Sequence, residues 1–112
     1  MAFTPGELEM IESTVGELCR QSSPAHLADQ LHVNYDTDQH AVTIYEERAP
    51  WDGEGEWTRQ RVARFRFFRS RGEWFLYWMR ANGSWDYYEG PRKRLSSLVV
   101  IVGKDTDGCF FG

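Results

Sequence analysis

The sequence predicts an α+β fold, with an N-terminal helix, a five-stranded largely antiparallel sheet and a short C-terminal helix in one domain spanning residues 1–112. Three observations lead there. Apolar residues from Leu8 to Cys19 recur at helical spacing, and from Leu31 the repeat shortens to two. Two turn signals, Arg71-Gly72 and Asn82-Gly83, then divide the stretch from Arg61 to Glu89 into three short strands. At 112 residues roughly two-thirds of the unfolded surface can be buried, enough for one core. With 41% hydrophobic and 15% aromatic residues, that core draws on Phe, Tyr and Trp, which bury about 150–250 Å² apiece.

Thr4-Pro5-Gly6-Glu7 opens the first helix. Thr4 serves as N-cap, Pro5 stands where its missing N–H costs nothing, and Glu7 reaches back as the capping-box partner. Leu8, Ile11, Val15, Leu18 and Cys19 form the apolar stripe, and Ser22-Ser23-Pro24 ends it. Leu31, Val33 and Tyr35 share one face of a strand that stops at the turn residues Asp36-Thr37-Asp38. A second strand runs from Ala41 to about Arg48, with Val42, Ile44, Glu46 and Arg48 on one side and Thr43, Tyr45 and Glu47 on the other. Residues 50–56 read as a loop.

If both later turns hold two residues, pairing sets Arg80 opposite Trp85, Trp78 opposite Tyr87 and Tyr77 opposite Tyr88, with Phe67 opposite Leu76 and Phe65 opposite Trp78. The predicted core face carries Phe65, Phe67, Trp74, Leu76, Trp78, Trp85 and Tyr87, with Arg69 and Arg80 towards its ends. The opposite face carries Arg64, Arg66, Phe68, Phe75, Tyr77, Met79, Asp86 and Tyr88. For residues 95–103 the β-branched run favours a strand, whereas Ser96 or Ser97 as cap and Gly103 as stop frame a short helix; the helical frame is preferred.

Cys19 and Cys109 lack C-x-x-C spacing, no basic-then-apolar leader opens the chain, and the longest wholly apolar run, Leu98 to Val102, is far short of a bilayer span. A cytoplasmic protein with no membrane partner is expected. Cys109-Phe110-Phe111-Gly112 has the C-a-a-X shape but ends on Gly, outside the usual prenylation residues, and predicts instead an aromatic tail folded onto the domain. The net charge of −4 conceals an asymmetry: residues 1–57 hold 12 acidic and 2 basic residues, net −10, and residues 58–112 hold 5 and 11, net +6. Such polarity suits either a basic face for an anionic partner or two complementary patches.

Trp74-Phe-Leu-Tyr-Trp-Met-Arg-Ala81, the preceding Glu47-Arg-Ala-Pro-Trp51 and the closing Asp107-Gly-Cys-Phe-Phe-Gly112 resemble a family of short bacterial proteins, the group catalogued as "domain of unknown function 3024". The resemblance runs from about Leu31 to Gly112, with Leu-Tyr-Trp-Met-Arg-Ala its most specific segment. It implies a bacterial cytoplasmic protein and no particular activity.

Catalytic and cofactor motifs are sparse, and no cofactor is expected. His26, His32 and His40 with the two cysteines lack zinc-ligand spacing, and Asp105-Thr106-Asp107-Gly108 has no downstream Glu to complete a calcium loop and reads as a turn. There is no G-x-S-x-G elbow, P-loop or G-x-G-x-x-G. The one enzyme-like pattern is Asp36 followed by Glu46 and Arg48, which resembles the D…E-x-K arrangement of metal-dependent nucleases. Arg stands at the Lys position, however, and cannot relay protons, and a Glu46–Arg48 ion pair is the ordinary alternative; whether Glu46, Glu47 and Arg48 form a site stays open.

The candidate surface is a binding face made by Arg64, Arg66, Phe75, Tyr77 and Tyr88, because guanidinium groups neutralise phosphates and flat rings stack on unpaired bases. Arg59, Arg61, Arg71 and Arg92-Lys93-Arg94 add charge nearby. The expected partners are nucleic acid or an acidic protein surface, with self-association through the aromatic face as a third possibility. The structural alternative has Arg64 and Arg66 lying over Phe75 and Tyr77 as packing partners.

Overall fold

In the computed structural model, which describes residues 2–112, the chain forms an α+β fold in which N- and C-terminal helices flank a five-stranded antiparallel sheet of order β1-β2-β3-β4-β5. The helices are α1 (Pro5–Ile11), α2 (Glu17–Gln21) and α3 (Leu95–Lys104); the strands are β1 (Leu31–Thr37), β2 (Ala41–Arg48), β3 (Thr58–Phe68), β4 (Glu73–Met79) and β5 (Trp85–Arg92). Each strand pairs with its neighbour in sequence, so the sheet is a meander built from hairpins.

The predicted capping box opens α1. Thr4 Oγ1 accepts from Glu7 N–H at 3.2 Å, and Glu7 Oε1 accepts from Thr4 N–H at 2.8 Å. Between α1 and α2 the chain widens into a π-helical stretch, Glu12–Gly16. The Glu12 carboxyl folds across Gly16, 2.8 Å from where a Cβ would stand, and accepts there from Arg20 and from the Tyr35 hydroxyl. Ile11, Val15, Leu18 and Cys19 are buried as the periodicity predicts, but Leu8 is 42% exposed. In the first turn Glu7, gripped by Arg69 through bonds of 2.9 and 3.0 Å, takes the sheet-facing position instead.

One face of the sheet carries the core. Val33, Val42, Ile44, Ala63, Phe65, Trp74 and Leu76 pack against Ile11, Val15 and Leu18 from the N-terminal helices and against Leu95, Leu98, Val99 and Val102 from α3. Residues 95–104 are helical: burial of one stripe of the apolar run under the sheet outweighs its β-branched preference. The helix passes Gly103 and ends where Asp105 adopts a left-handed φ of 46°. The Asp105 carboxylate then accepts from Phe110, Phe111 and Gly112 N–H groups, folding the aromatic tail back so that Phe110 is buried.

Three predicted turns are corrected. The β1–β2 reversal lies at Asp38–Ala41, later than Asp36-Thr37-Asp38, because the Asp38 carboxylate accepts from His40 and Ala41 N–H at 2.8 Å and closes the turn there. The β3–β4 connection holds four residues, Arg69 to Gly72, so that Phe68 pairs with Glu73, Phe67 with Trp74 and Phe65 with Leu76. That register differs from the predicted one by two residues, which preserves the faces of both strands. At the β4–β5 reversal Arg80 N–H donates to Ser84 C=O at 2.9 Å around the three-residue loop Ala81-Asn82-Gly83, with Gly83 at φ 85°. Asn82 Oδ1 accepts from Ser84 N–H and Oγ, stabilising this longer loop over the two-residue turn. Met79 therefore pairs with Trp85 and Tyr77 with Tyr87, one residue from the predicted register. An odd shift inverts β5: Trp85 and Tyr87 leave the core face, and Asp86 and Tyr88 turn towards it. Trp78 stays on the core side but is only half-buried at its rim.

Candidate functional site

The helix-free face is organised by β3. Its pairing with β2 shifts between Ile44 and Tyr45: Ile44 faces Ala63, Tyr45 faces Arg61, and Val62 is the extra residue of a bulge. In an unbroken strand Arg59 and Arg61 would point away from Arg64 and Arg66. With the bulge, the four arginines face Glu47, Tyr45, Thr43 and Ala41, alternate residues of one strand, and so form a single row on the helix-free face. The small residues Ala41 and Thr43 lie buried between longer side chains as the floor of this surface.

Aromatic rings flank the row. Arg66 pairs with Phe75 and Arg64 with Tyr77, and the corrected β5 register adds Tyr87 beside Tyr77 and Trp85 beside Met79. Arg64, Arg66, Tyr77 and Trp85 line an open depression of about 360 Å³. A second depression, about 350 Å³, at the end of β3 and β4 is lined by Arg59, Gln60, Arg61 and Arg80 and by Cys109 and Phe110 of the C-terminal tail. Tyr87 is 52% exposed.

The arginines differ in their partners. Arg59 donates to Asp36 at 2.6 Å and lies 3.7 Å over the Tyr45 ring; Arg64 donates to Asp38 at 3.2 Å. Arg61 and Arg66 have no carboxylate within 4.0 Å among the described residues; Arg61 sits 6.0 Å over Trp85 and Arg66 4.9 Å over Phe68. The Arg66 guanidinium thus stacks on Phe68, while Arg64 and Arg66 stand directly opposite Tyr77 and Phe75 across the β3–β4 ladder. Burial works to raise the Asp38 pKa, but the His40 and Ala41 N–H groups, with Arg64 beside them, outweigh it and hold the carboxyl below its ordinary range. Exposed pairs of this kind contribute only about 0–1 kcal/mol, so an anionic ligand can exchange for the carboxylate.

Of the five predicted binding residues, Arg64, Arg66, Phe75 and Tyr77 come together on this face and Tyr88 does not. Tyr88 is the extra residue of a second bulge, between the Tyr77–Tyr87 and Leu76–Glu89 pairs. Its ring meets Phe110 edge-on at 5.0 Å and its hydroxyl donates to Asp107, a bond that pushes its pKa up to about 12. Trp85, Tyr87, Arg59 and Arg61 are the face residues that alternation alone missed. A signal for the last two was present: in Arg59-Gln-Arg-Val-Ala-Arg-Phe-Arg66 the adjacent Val62 and Ala63 break the polar–apolar alternation, the pattern a bulge restores.

The nuclease-like constellation is not assembled. Asp36 pairs with Thr43 on the helix-free face, whereas Glu46 pairs with Val33 on the core side and accepts from Arg48 at 2.7 Å, so the two carboxylates straddle the sheet. Glu47 accepts from Asn34 on the helix-free face, away from Glu46 and Arg48. No cluster of three or more His, Cys, Asp or Glu able to hold a metal occurs among the described residues. No helix among them is long and apolar enough to cross a membrane.

No curated protein and no solved structure gives a significant match to the chain. The family model described as "Domain of unknown function (DUF3024)" matches residues 3–112, which covers both helical ends, all five strands and the arginine row. The chain belongs to the DUF3024 family.

Proposed function

We propose that the chain is a non-catalytic binding module for single-stranded nucleic acid, with phosphates on the β3 arginines and bases against the rings of β4 and β5. The observation that carries this reading is the bulge at Val62, which gathers Arg59, Arg61, Arg64 and Arg66 into one row beside Phe75, Tyr77, Trp85 and Tyr87. Alternate residues on a strand stand about 6.8 Å apart, a step comparable with that between successive phosphates of an extended single strand, and the row is about 20 Å long. One phosphate per arginine gives a site of about four nucleotides, at the short end of the range for a small β-domain. Exposed rings supply stacking that tolerates any base, since every base has a π-face. The overall charge of −4 does not oppose this, because the acids of the first helices lie behind the sheet; on the row's own face Asp36, Glu47 and Asp38 pair with Arg59 and Arg64, which leaves Arg61 and Arg66 as the cations without a carboxylate among the described residues.

The test is a fluorescence-anisotropy titration of a labelled single-stranded oligonucleotide. Arg64→Glu combined with Arg66→Glu is expected to weaken binding at least about tenfold, because two contacts become repulsions, while the circular dichroism spectrum is unchanged. Equal affinity in the double variant and the wild type contradicts the reading.

A further inference from the structure

The loop between β2 and β3 carries the chemistry opposite to the arginine row. Residues 49–57 read Ala-Pro-Trp-Asp-Gly-Glu-Gly-Glu-Trp, with three acids and no basic residue. Every residue from Trp51 to Trp57 is exposed, and Trp51 is 97% exposed, an unusual state for an indole. Asp52, Glu54 and Glu56 have no cationic partner within 4.0 Å among the described residues, and neither Arg61 nor Arg66 has an anionic one. The molecule thus presents unpaired carboxylates between two indoles on one surface and unpaired guanidinium groups among aromatic rings on another. Carboxylates flanked by indoles imitate the alternation of phosphate and base for which we propose the arginine row.

We infer that the Trp51 loop of one copy seats on the arginine row of a second copy, a contact that competes with nucleic acid for the same surface. Within one molecule the loop adjoins Arg59 at the near end of the row, but Trp51 cannot reach the depression at Arg64 and Arg66. Arg66 lies opposite Ala41, seven residues back along β2 from Arg48, about 24 Å of strand. Only three residues lead from Arg48 to Trp51, a reach of at most about 11 Å. The loop lies at the end of the sheet, where a neighbouring molecule can approach it, and reciprocal exchange of two loops closes the contact into a dimer, whereas one-way seating propagates. A tryptophan in a ring-lined depression beside arginines has the composition of an interface hot spot. This inference rests on the anion-binding reading of the arginine row only for the competition it predicts; self-association stands or falls separately.

Sedimentation velocity tests it. At low salt the weight-average mass of the wild type is expected to rise above the 13.1 kDa of one chain with increasing protein concentration, to return to it at high salt, and to settle at one chain plus one oligonucleotide when a short single-stranded oligonucleotide is added. Trp51→Ala, a change at a fully exposed position that leaves the fold alone, is expected to weaken association about thirtyfold, the effect of losing a hot spot. A charge exchange isolates the contact: a chain with Asp52, Glu54 and Glu56 all changed to Lys and a chain with Arg64→Glu and Arg66→Glu should each be monomeric alone and associate when mixed. A wild type that stays at one-chain mass at every concentration, association indifferent to Trp51→Ala, or mixed variants that ignore each other would each overturn the inference. Oligonucleotide binding by a strictly monomeric wild type removes the loop contact and leaves the proposed function standing. Trp51-dependent association with no oligonucleotide binding does the reverse.

Discussion

Glu7 shows how much one side chain can join. Its carboxylate completes the capping box with Thr4 and accepts both prongs of Arg69, so it fixes the start of α1 to the β3–β4 reversal. The Arg69 hydrogen bonds, followed by the Thr4 N–H, lower its pKa from 4.5 to about 2. A carboxyl whose folded pKa lies below its unfolded value contributes stability above about pH 4.5 and loses it as the pH falls towards 2. Urea midpoints measured across that window should fall in the wild type and flatten in Glu7→Gln; identical profiles would show that the pair contributes nothing. Two ring truncations test the face assignment. Phe65 is fully buried, and Phe65→Ala is expected to cost about 3–5 kcal/mol. Tyr87 is half out in solvent, and Tyr87→Ala should stay within about 1 kcal/mol by chemical denaturation. At this scale the sequence was legible wherever a rule is local. The capping box, the buried helical stripe and the folded-in tail follow from residue chemistry, whereas Leu8 lost its predicted place to Glu7, whose partner Arg69 lies 62 residues away.

At the scale of elements, strand parity decides which side chains share the arginine face, and loops and bulges decide parity. The four-residue β3–β4 connection displaced the register by two and left Arg64, Arg66, Phe75 and Tyr77 together, whereas the three-residue β4–β5 loop displaced it by one and exchanged Tyr88 for Tyr87. Asn-Gly marks a tight reversal but does not count its residues. The count here was set by Asn82 Oδ1 capturing Ser84 N–H, a bond between side chain and backbone that alternation cannot register. Gly83, at φ 85°, holds this loop, so Gly83→Ala is expected to lower stability by about 1 kcal/mol, measured as a shift in the denaturation midpoint without a change in slope. A stabilising effect would mean the loop does not need a left-handed residue. The Val62 bulge was readable in principle from two adjacent apolar residues between arginines, and it moved two cations onto the face that alternation had denied them.

For the whole molecule, the meander turns the charge asymmetry of the sequence into geometry. The acidic N-terminal helices and α3 cover one face of the sheet, the arginine row occupies the other with Asp36, Asp38 and Glu47 beside Arg59 and Arg64, and the acidic Trp51 loop stands at its end. The α+β class and the existence of a basic aromatic face were legible because composition and period survive register errors. The membership of that face was not, since each bulge reverses every residue beyond it. The central claim is that four aligned arginines take up four phosphates, and the salt dependence of single-stranded oligonucleotide binding measures that number. A slope of log K against log salt of about −3 is expected for the wild type, reduced to about half or less when Arg64 and Arg66 are lost. A slope near zero, or one unchanged by that double substitution, would contradict it.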